Sequence, residues 1–195
     1  MRTAEFARKT KETDIQLAVC LDGSGKTELA TGVGFFDHML DALCRFALFD
    51  LKLYCTGDLQ VDAHHTVEDV GICLGKAIRE ALGDRVGIRR VGSAYMPMDE
   101  ALAFAAIDIS GRPYLAWNAE FTAPMCGTMD TQLAEEFFRA VTVNAGLTVH
   151  MNLIAGRNDH HKMEALFKAF GLALQDAVRV DANIQGVLST KGALD

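Results

Sequence analysis

The chain has 195 residues, half of them hydrophobic and 23% charged, which is the composition of a folded globular protein and excludes a disordered one. At ~150 residues per domain, this length accommodates one domain or two small fused units. Lys and Arg number 19 against 26 Asp and Glu, and the resulting charge of −7 excludes wrapping a nucleic-acid backbone, although it leaves room for a local basic pocket.

The N-terminal stretch MRTAEFARKTKETD is charged and has no apolar leader region. No run approaches the ~18 apolar residues of a membrane span. The five cysteines (Cys20, Cys44, Cys55, Cys73 and Cys126) are odd in number and form no CxxC pair, which predicts buried thiols in a reducing compartment. A soluble cytoplasmic protein is expected, with no membrane or nucleic-acid partner.

Ile15, Leu17, Val19 and Leu21 alternate with polar or small residues, the period of a half-buried strand. Asp22 to Gly25 supplies turn chemistry, and Lys26 to Thr31 is expected to return as a hairpin partner. The spacing of Phe36, Met39, Leu40, Leu43 and Ala47 predicts a helix over 35–49. A short strand over 50–55 follows, then a turn at Gly57-Asp58. A long helix over 64–82 stops at Gly83.

The order then repeats. Strands are predicted over 101–109 and 114–121, a helix over 130–145 stopping at Gly146, a strand over 147–154 and a second long helix over 160–180. Residues 85–99 join the halves and add a strand. Each half therefore reads as a ββαβα unit, and the chain as an α+β tandem duplication. The expected division is one compact chain, 1–195, with repeats over 10–84 and 99–182 and a C-terminal tail over 183–195.

Two motifs match across the halves. His64-His65-Thr66-Val67-Glu68 and His160-His161-Lys162-Met163-Glu164 are both HHxxE, lie 96 residues apart and open the last long helix of each half. They hold four of the six histidines. Residues four apart share a helix face, so His64 with Glu68, and His160 with Glu164, can close on one ion. The adjacent His65 and His161 point about 100° away. Two metal sites that mix ligands from both motifs, and from both halves or several subunits, follow from this economy. Imidazole plus carboxylate suits Mn, Fe or Zn. His38, in the first short helix, and Glu136, at the corresponding place 98 residues on, are candidate third ligands. His150, mid-strand, is the alternative, with ligation and a packing role both open.

Gly23-Ser24-Gly25-Lys26-Thr27 imitates the end of a phosphate-binding loop. Cys20 stands where its first glycine belongs, and the segment lies between two strands, so it is read as a turn. Arg89, Arg90, Arg112, Lys168 and Lys191 are singly unremarkable charges.

These motifs resemble the imidazoleglycerol-phosphate dehydratase family of histidine biosynthesis over almost the whole chain. The resemblance is carried by RKTKET at 8–13, GVGFFDHM at 32–39, HHTVEDVG at 64–71, GRNDHHKME at 156–164 with Phe167-Lys168-Ala169, and Ser189-Thr190-Lys191-Gly192. It implies a ribosomal S5 domain 2-like fold and a homo-oligomer, typically of 24 subunits, with two Mn(II) sites per subunit built at subunit contacts and no organic cofactor. It also implies removal of water from imidazoleglycerol phosphate to give imidazoleacetol phosphate.

Residue by residue, the resemblance implies metal ligation by His38, His64, His65, Glu68, His160, His161 and Glu164. Of these, His64, Glu68, His160 and Glu164 are also counted in the catalytic set. Glu136 stands where many members carry His. Glu12 corresponds to a mobile acid–base residue that also touches substrate, and Arg90, Arg112, Lys168, Thr190 and Lys191 to a phosphate pocket. The proton to be lost sits on an unactivated carbon. Metals on the ring nitrogens would favour the imidazolate, whose electrons expel the adjacent hydroxyl. The neighbouring C–H then becomes acidic enough for a carboxylate.

Two rivals stand beside this reading: a dimetal phosphoester hydrolase, and a metal-storage protein of the ferritin-like kind. The His-x-x-Glu order and the interleaved strands disfavour the second.

Overall fold

The computed structural model describes residues 1–194. The first half runs β1 (Thr3–Lys9), β2 (Thr13–Cys20), β3 (Thr27–Ala30), α1 (Gly34–Ala47), β4 (Asp50–Gly57) and α2 (His64–Leu82). The second runs β5 (Val91–Met98), β6 (Ala101–Asp108), β7 (Tyr114–Asn118), a small hairpin of β8 (Met125–Cys126) and β9 (Met129–Asp130), α3 (Leu133–Ala145), β10 (Thr148–Ala155) and α4 (Asp159–Val178). Each half is the expected α+β unit with one strand added ahead of it. β1 and β5 begin before the expected repeat starts at 10 and 99.

The sheets have matching orders, β1-β2-β4-β3 and β5-β6-β10-β7. This corrects the expected pairing of Ile15–Leu21 with Lys26–Thr31. The true hairpin is β1 with β2, and β4 inserts between β2 and β3, pairing antiparallel with one and parallel with the other. The insertion has a local cause. Asp50, at the start of β4, accepts hydrogen bonds at Oδ1 from the Ser24 and Lys26 amides (2.8 and 2.9 Å), so the Asp22–Gly25 turn wraps around the incoming strand. β1 escapes a reading by charge because only Ala4 and Phe6 mark its inner face. In the second half β10 likewise separates β6 from β7.

α2 spans the expected residues. α1 stops two residues early because Leu48 turns left-handed (φ 55°). α3 starts at Leu133 rather than Asp130, which belongs to the β8–β9 hairpin. One face of each sheet is buried, and the helices pack on those faces, α2 on β1 and β2, α4 on β5 and β6. α1 then packs on α4, and α3 on α2, so each half lends its short helix to the other half's long one. Gly75 and Gly171, at the same helix position in the two halves, permit these contacts. A Cβ on Gly75 would meet Val141 O, and one on Gly171 would meet Leu43 O. Phe36, Phe137, Phe138, Phe167 and Phe170 fill the space where the halves meet.

Candidate active site

The start of α4 is capped by Asn158, whose Oδ1 accepts from the His160 and His161 amides (2.9 and 3.4 Å). One turn separates His160 from Glu164, and His160 Nε2 lies 3.2 Å from Glu164 Oε2. The packing of α1 on α4 brings His38 Nε2 to 3.4 Å from the same oxygen. The three donor atoms lie within 4.8 Å of one another, and no other such group of three exists among the described residues. Lys168 Nζ holds the second oxygen, Oε1, at 2.5 Å. Burial pushes the Glu164 carboxyl upward, but Lys168, then His38 and His160, outweigh it and hold it below its usual range. Two imidazole nitrogens and an ionised carboxylate, with no thiolate beside them, fit a borderline divalent cation.

The equivalent cluster on α2 is more open. His64 Nε2 is 3.9 Å from Glu68 Oε2, and Glu68 is half-buried. Here α3, packed on α2, carries Glu136 to a cavity of about 680 Å³ that is also lined by His64, Asp62, Asp130 and Gln132. Glu136 lies 3.9 Å from Arg139 Nε. The arrangement is crossed. His38 of the first half meets the His160–Glu164 pair, and Glu136 of the second half shares a cavity with His64.

His65 and His161 follow a different pattern. Each is anchored at Nδ1 by a carboxylate, His65 by Asp58 (3.0 Å) and His161 by Glu100 (2.8 Å). These hydrogen bonds raise both imidazoles above their ordinary range. Glu100 is correspondingly pulled down to about 2, by His161 first and then by the Asn158 amide. Such carboxylates fix the tautomer and leave Nε2 as the free ligand atom. Glu12 Oε1 lies 3.8 Å from His65 Nε2, and Asp99 Oδ2 lies 3.9 Å from His161 Nε2. Sequence reasoning missed Asp58, Asp99 and Glu100. A signal existed: a shift of 88 residues carries the Thr3–Cys20 pair onto Val91–Asp108, and with it Glu12 onto Glu100.

Arg90, Arg112, Thr190 and Lys191 line a second cavity, of about 600 Å³. Arg90 is fixed there by Asp108 (Nε to Oδ1, 2.6 Å) and donates from Nη1 to Leu188 O (2.8 Å). Lys168 is not with them; it belongs to the Glu164 cluster. His150 sits on β10 near Tyr114, ring centroids 6.4 Å apart, and is not part of the His38–His160–Glu164 group. The cysteines are free, and burial pushes Cys55 and Cys73 up to about 11, so neither offers a thiolate nucleophile. No helix among the described residues is long and apolar enough to cross a membrane.

Fold and site together define a duplicated α+β protein with paired imidazole–carboxylate clusters at the starts of equivalent helices. Comparison with known proteins makes this specific. The family model for imidazoleglycerol-phosphate dehydratase matches residues 31–174. The imidazoleglycerol-phosphate dehydratase of Acetivibrio thermocellus is 58% identical over 193 residues, covering 99% of each chain. The crystal structure of the Staphylococcus aureus enzyme superposes with a TM-score of 0.84 at 41% identity, covering 92% of this chain and 99% of that one. That of the Pyrococcus furiosus enzyme gives 0.83 at 36%, covering 97% and 100%. The chain belongs to the imidazoleglycerol-phosphate dehydratase family.

Proposed function

We propose that the chain dehydrates imidazoleglycerol phosphate to imidazoleacetol phosphate in histidine biosynthesis, as a metal-dependent cytoplasmic homo-oligomer. The observation that carries this reading is the crossed cluster of His38, His160 and Glu164, in a chain that matches the family from end to end. One Mn(II) is assigned to that cluster and a second to His64 and Glu68 with Glu136. His65 and His161, turned about 100° from their neighbours on the helix, are assigned as ligands across subunit contacts, in an assembly of 24 subunits. Exposed Val91, Tyr95 and Tyr114 on the outer side of the second sheet support association between copies. Five free cysteines support a reducing compartment.

When bound, the metal ions supply Lewis acidity that favours the imidazolate form of the substrate ring. The chain supplies the rest. Arg90, Arg112, Thr190 and Lys191 bind the phosphate, with Lys168 a further cation for the substrate, and this binding orients the reacting carbons. Glu12 is assigned the acid–base role, passing a proton to the departing hydroxyl, which leaves as water. As a carboxylate it then takes the proton from the neighbouring carbon, and the resulting enol tautomerises to the ketone. Its exposed position on the β1–β2 turn, 3.8 Å from His65, suits a group that must reach a bound substrate.

The test is turnover of imidazoleglycerol phosphate by chelator-stripped protein with and without Mn(II), following the ketone. Mn-dependent dehydration is expected. Metal binding without dehydration would overturn the substrate assignment and favour a dimetal hydrolase, detectable as phosphate release. Glu12→Gln is expected to retain metal and substrate and to lose about 10²–10⁴-fold in kcat. Normal turnover would move the acid–base role to another residue.

A further inference from the structure

Asp69 is a buried carboxylate, 5% exposed, one residue after Glu68 on α2. No step above uses it. Its Oδ2 accepts hydrogen bonds from Arg8 Nη1 on β1 and from the Thr13 hydroxyl at the start of β2. Thr13 Oγ1 lies 3.4 Å from Thr10 Oγ1, and Thr10 Oγ1 accepts from the amides of Glu12 (3.1 Å) and Thr13 (3.0 Å). The carboxylate sets the direction of this chain. Thr13 spends its proton on Asp69, so the Thr10 hydroxyl can only donate toward Thr13, to its Oγ1 or to its carbonyl oxygen (3.5 Å), and keeps its lone pairs for the two amides. The network therefore ends on the backbone that carries Glu12.

The second half shows that the fold does not need it. The 88-residue shift that superimposes the hairpins places Arg8 on Met96, Thr10 on Met98 and Thr13 on Ala101. The 96-residue shift of the helices places Asp69 on Ala165. Met96, Ala101 and Ala165 are all buried and apolar, at 8%, 1% and 0% exposure. The contact is thus built twice: in the second half from Met96, Ala101 and Ala165, with the buried Lys162–Asp159 pair packed against the same glycine, Gly156, as Ala101, and in the first half from the Arg8–Asp69 pair with a hydroxyl relay. Apolar replacement of buried ion pairs is often neutral or stabilising, so stability alone does not account for the polar version. What distinguishes the first corner is that it carries the acid–base residue.

We propose that Asp69 is a positioning residue for dehydration: through Thr13 and Thr10 it holds the β1–β2 turn so that Glu12 is presented beside the α2 metal ligands. The inference rests on the assignment of Glu12 made above. It predicts that the Arg8→Met/Thr13→Ala/Asp69→Ala variant, which takes the second half's residues at these three positions, folds and binds Mn(II) as the native protein does. Its kcat falls by up to about 100-fold, with KM little changed. In hydrogen exchange, the Glu12 and Thr13 amides exchange at least about 10-fold faster, while the Asp99 and Glu100 amides keep their native rates. Combined with Glu12→Gln, the triple substitution lowers residual turnover no further, because the two changes remove the same function.

Native kcat or native exchange in the folded triple variant overturns the proposal. If that variant does not fold, Thr13→Val decides, since it keeps the volume and removes only the hydroxyl. It should lose about 10-fold in kcat and loosen the same two amides, with Thr13→Ser restoring both. A native Thr13→Val overturns the proposal equally. Native turnover by Glu12→Gln would instead strike the assignment of Glu12, and the exchange measurement would still judge the network.

Discussion

α2 and α4 open on the same HHxxE spacing, yet one cluster is open and the other closed. His64 and Glu68 stand 3.9 Å apart with a half-buried carboxylate, whereas His160 and Glu164 stand 3.2 Å apart with a buried one. The difference comes from residues outside the motif. Lys168, one turn beyond Glu164, draws that carboxylate in, and the equivalent position on α2 is Ile72. The start of α4 is also pinned from below. Asp159 pairs with Lys162 at 2.7 Å, both nearly fully buried, and accepts from the Thr122 and Ala123 amides. Its equivalents on α2 are Ala63 and Thr66. A five-residue motif supplies the imidazole and the carboxylate, and the surrounding charges decide how far they close.

The pin should have the largest effect. Asp159→Ala leaves Lys162 buried without its carboxylate and is expected to cost about 3 kcal/mol, with a matching drop in Tm. Asp159 is held down to about 2: burial opposes this, and the Lys162 ammonium and the Ala123 and Thr122 donors outweigh it. Its contribution is therefore full above the unfolded carboxylate pKa of about 3.9 and is lost as pH falls toward 2. Denaturant titrations of both proteins from pH 7 to pH 2 should converge at the acid end. Parallel curves would count against the pin.

Next is the cation that closes the second cluster. Lys168→Met leaves Glu164 facing only imidazoles and should cost metal-free protein about 2 kcal/mol at pH 7, discounted for the partial exposure of Lys168. Glu164 is held low in the native protein, so its contribution is present above its ordinary pKa and fades as pH falls through the lowered one. In the variant that loss moves to higher pH. Equal stability of the two proteins at pH 7 would mean that Lys168 does not close the cluster.

The smallest effect is the converse. Ile72→Lys gives Glu68 a cation one turn on and should add about 0.3–0.5 kcal/mol while lowering the Glu68 carboxyl pKa in an NMR titration. An unmoved Glu68 would show that spacing alone does not transfer closure from one half to the other.

Much of this was legible in the sequence because the repeat is local in kind. The 3.6-residue period of α2, the HHxxE spacing and the 96-residue offset each depend on nearby residues, and α2 falls where its period places it. The strand order was not legible. β2 and β3 do run in opposite directions, as a hairpin would, but the strand between them arrives twenty residues later and is secured by Asp50. The carboxylates that anchor His65 and His161 were missed for the same reason. Asp58 follows β4 and Glu100 sits in the β5–β6 turn, so one imidazole finds its partner 7 residues away and the other 61. The crossing of His38 to Glu164 depends on α1 packing on α4, which Gly171 permits and no local period announces.

That exchange of short helices bears on how such a chain could arise. The closed cluster takes its third side chain, His38, from the first half, and Glu136 of the second half lines the cavity of His64. A single ancestral unit would have had to work as a pair of identical copies, each reaching into its neighbour. Joining two copies through the segment between Leu82 and Val91 would turn that encounter into an intramolecular one and remove its dependence on concentration. Once joined, the two copies no longer had to remain the same. The two corners differ accordingly: one holds Met96, Ala101 and Ala165, the other Arg8, Thr13 and Asp69.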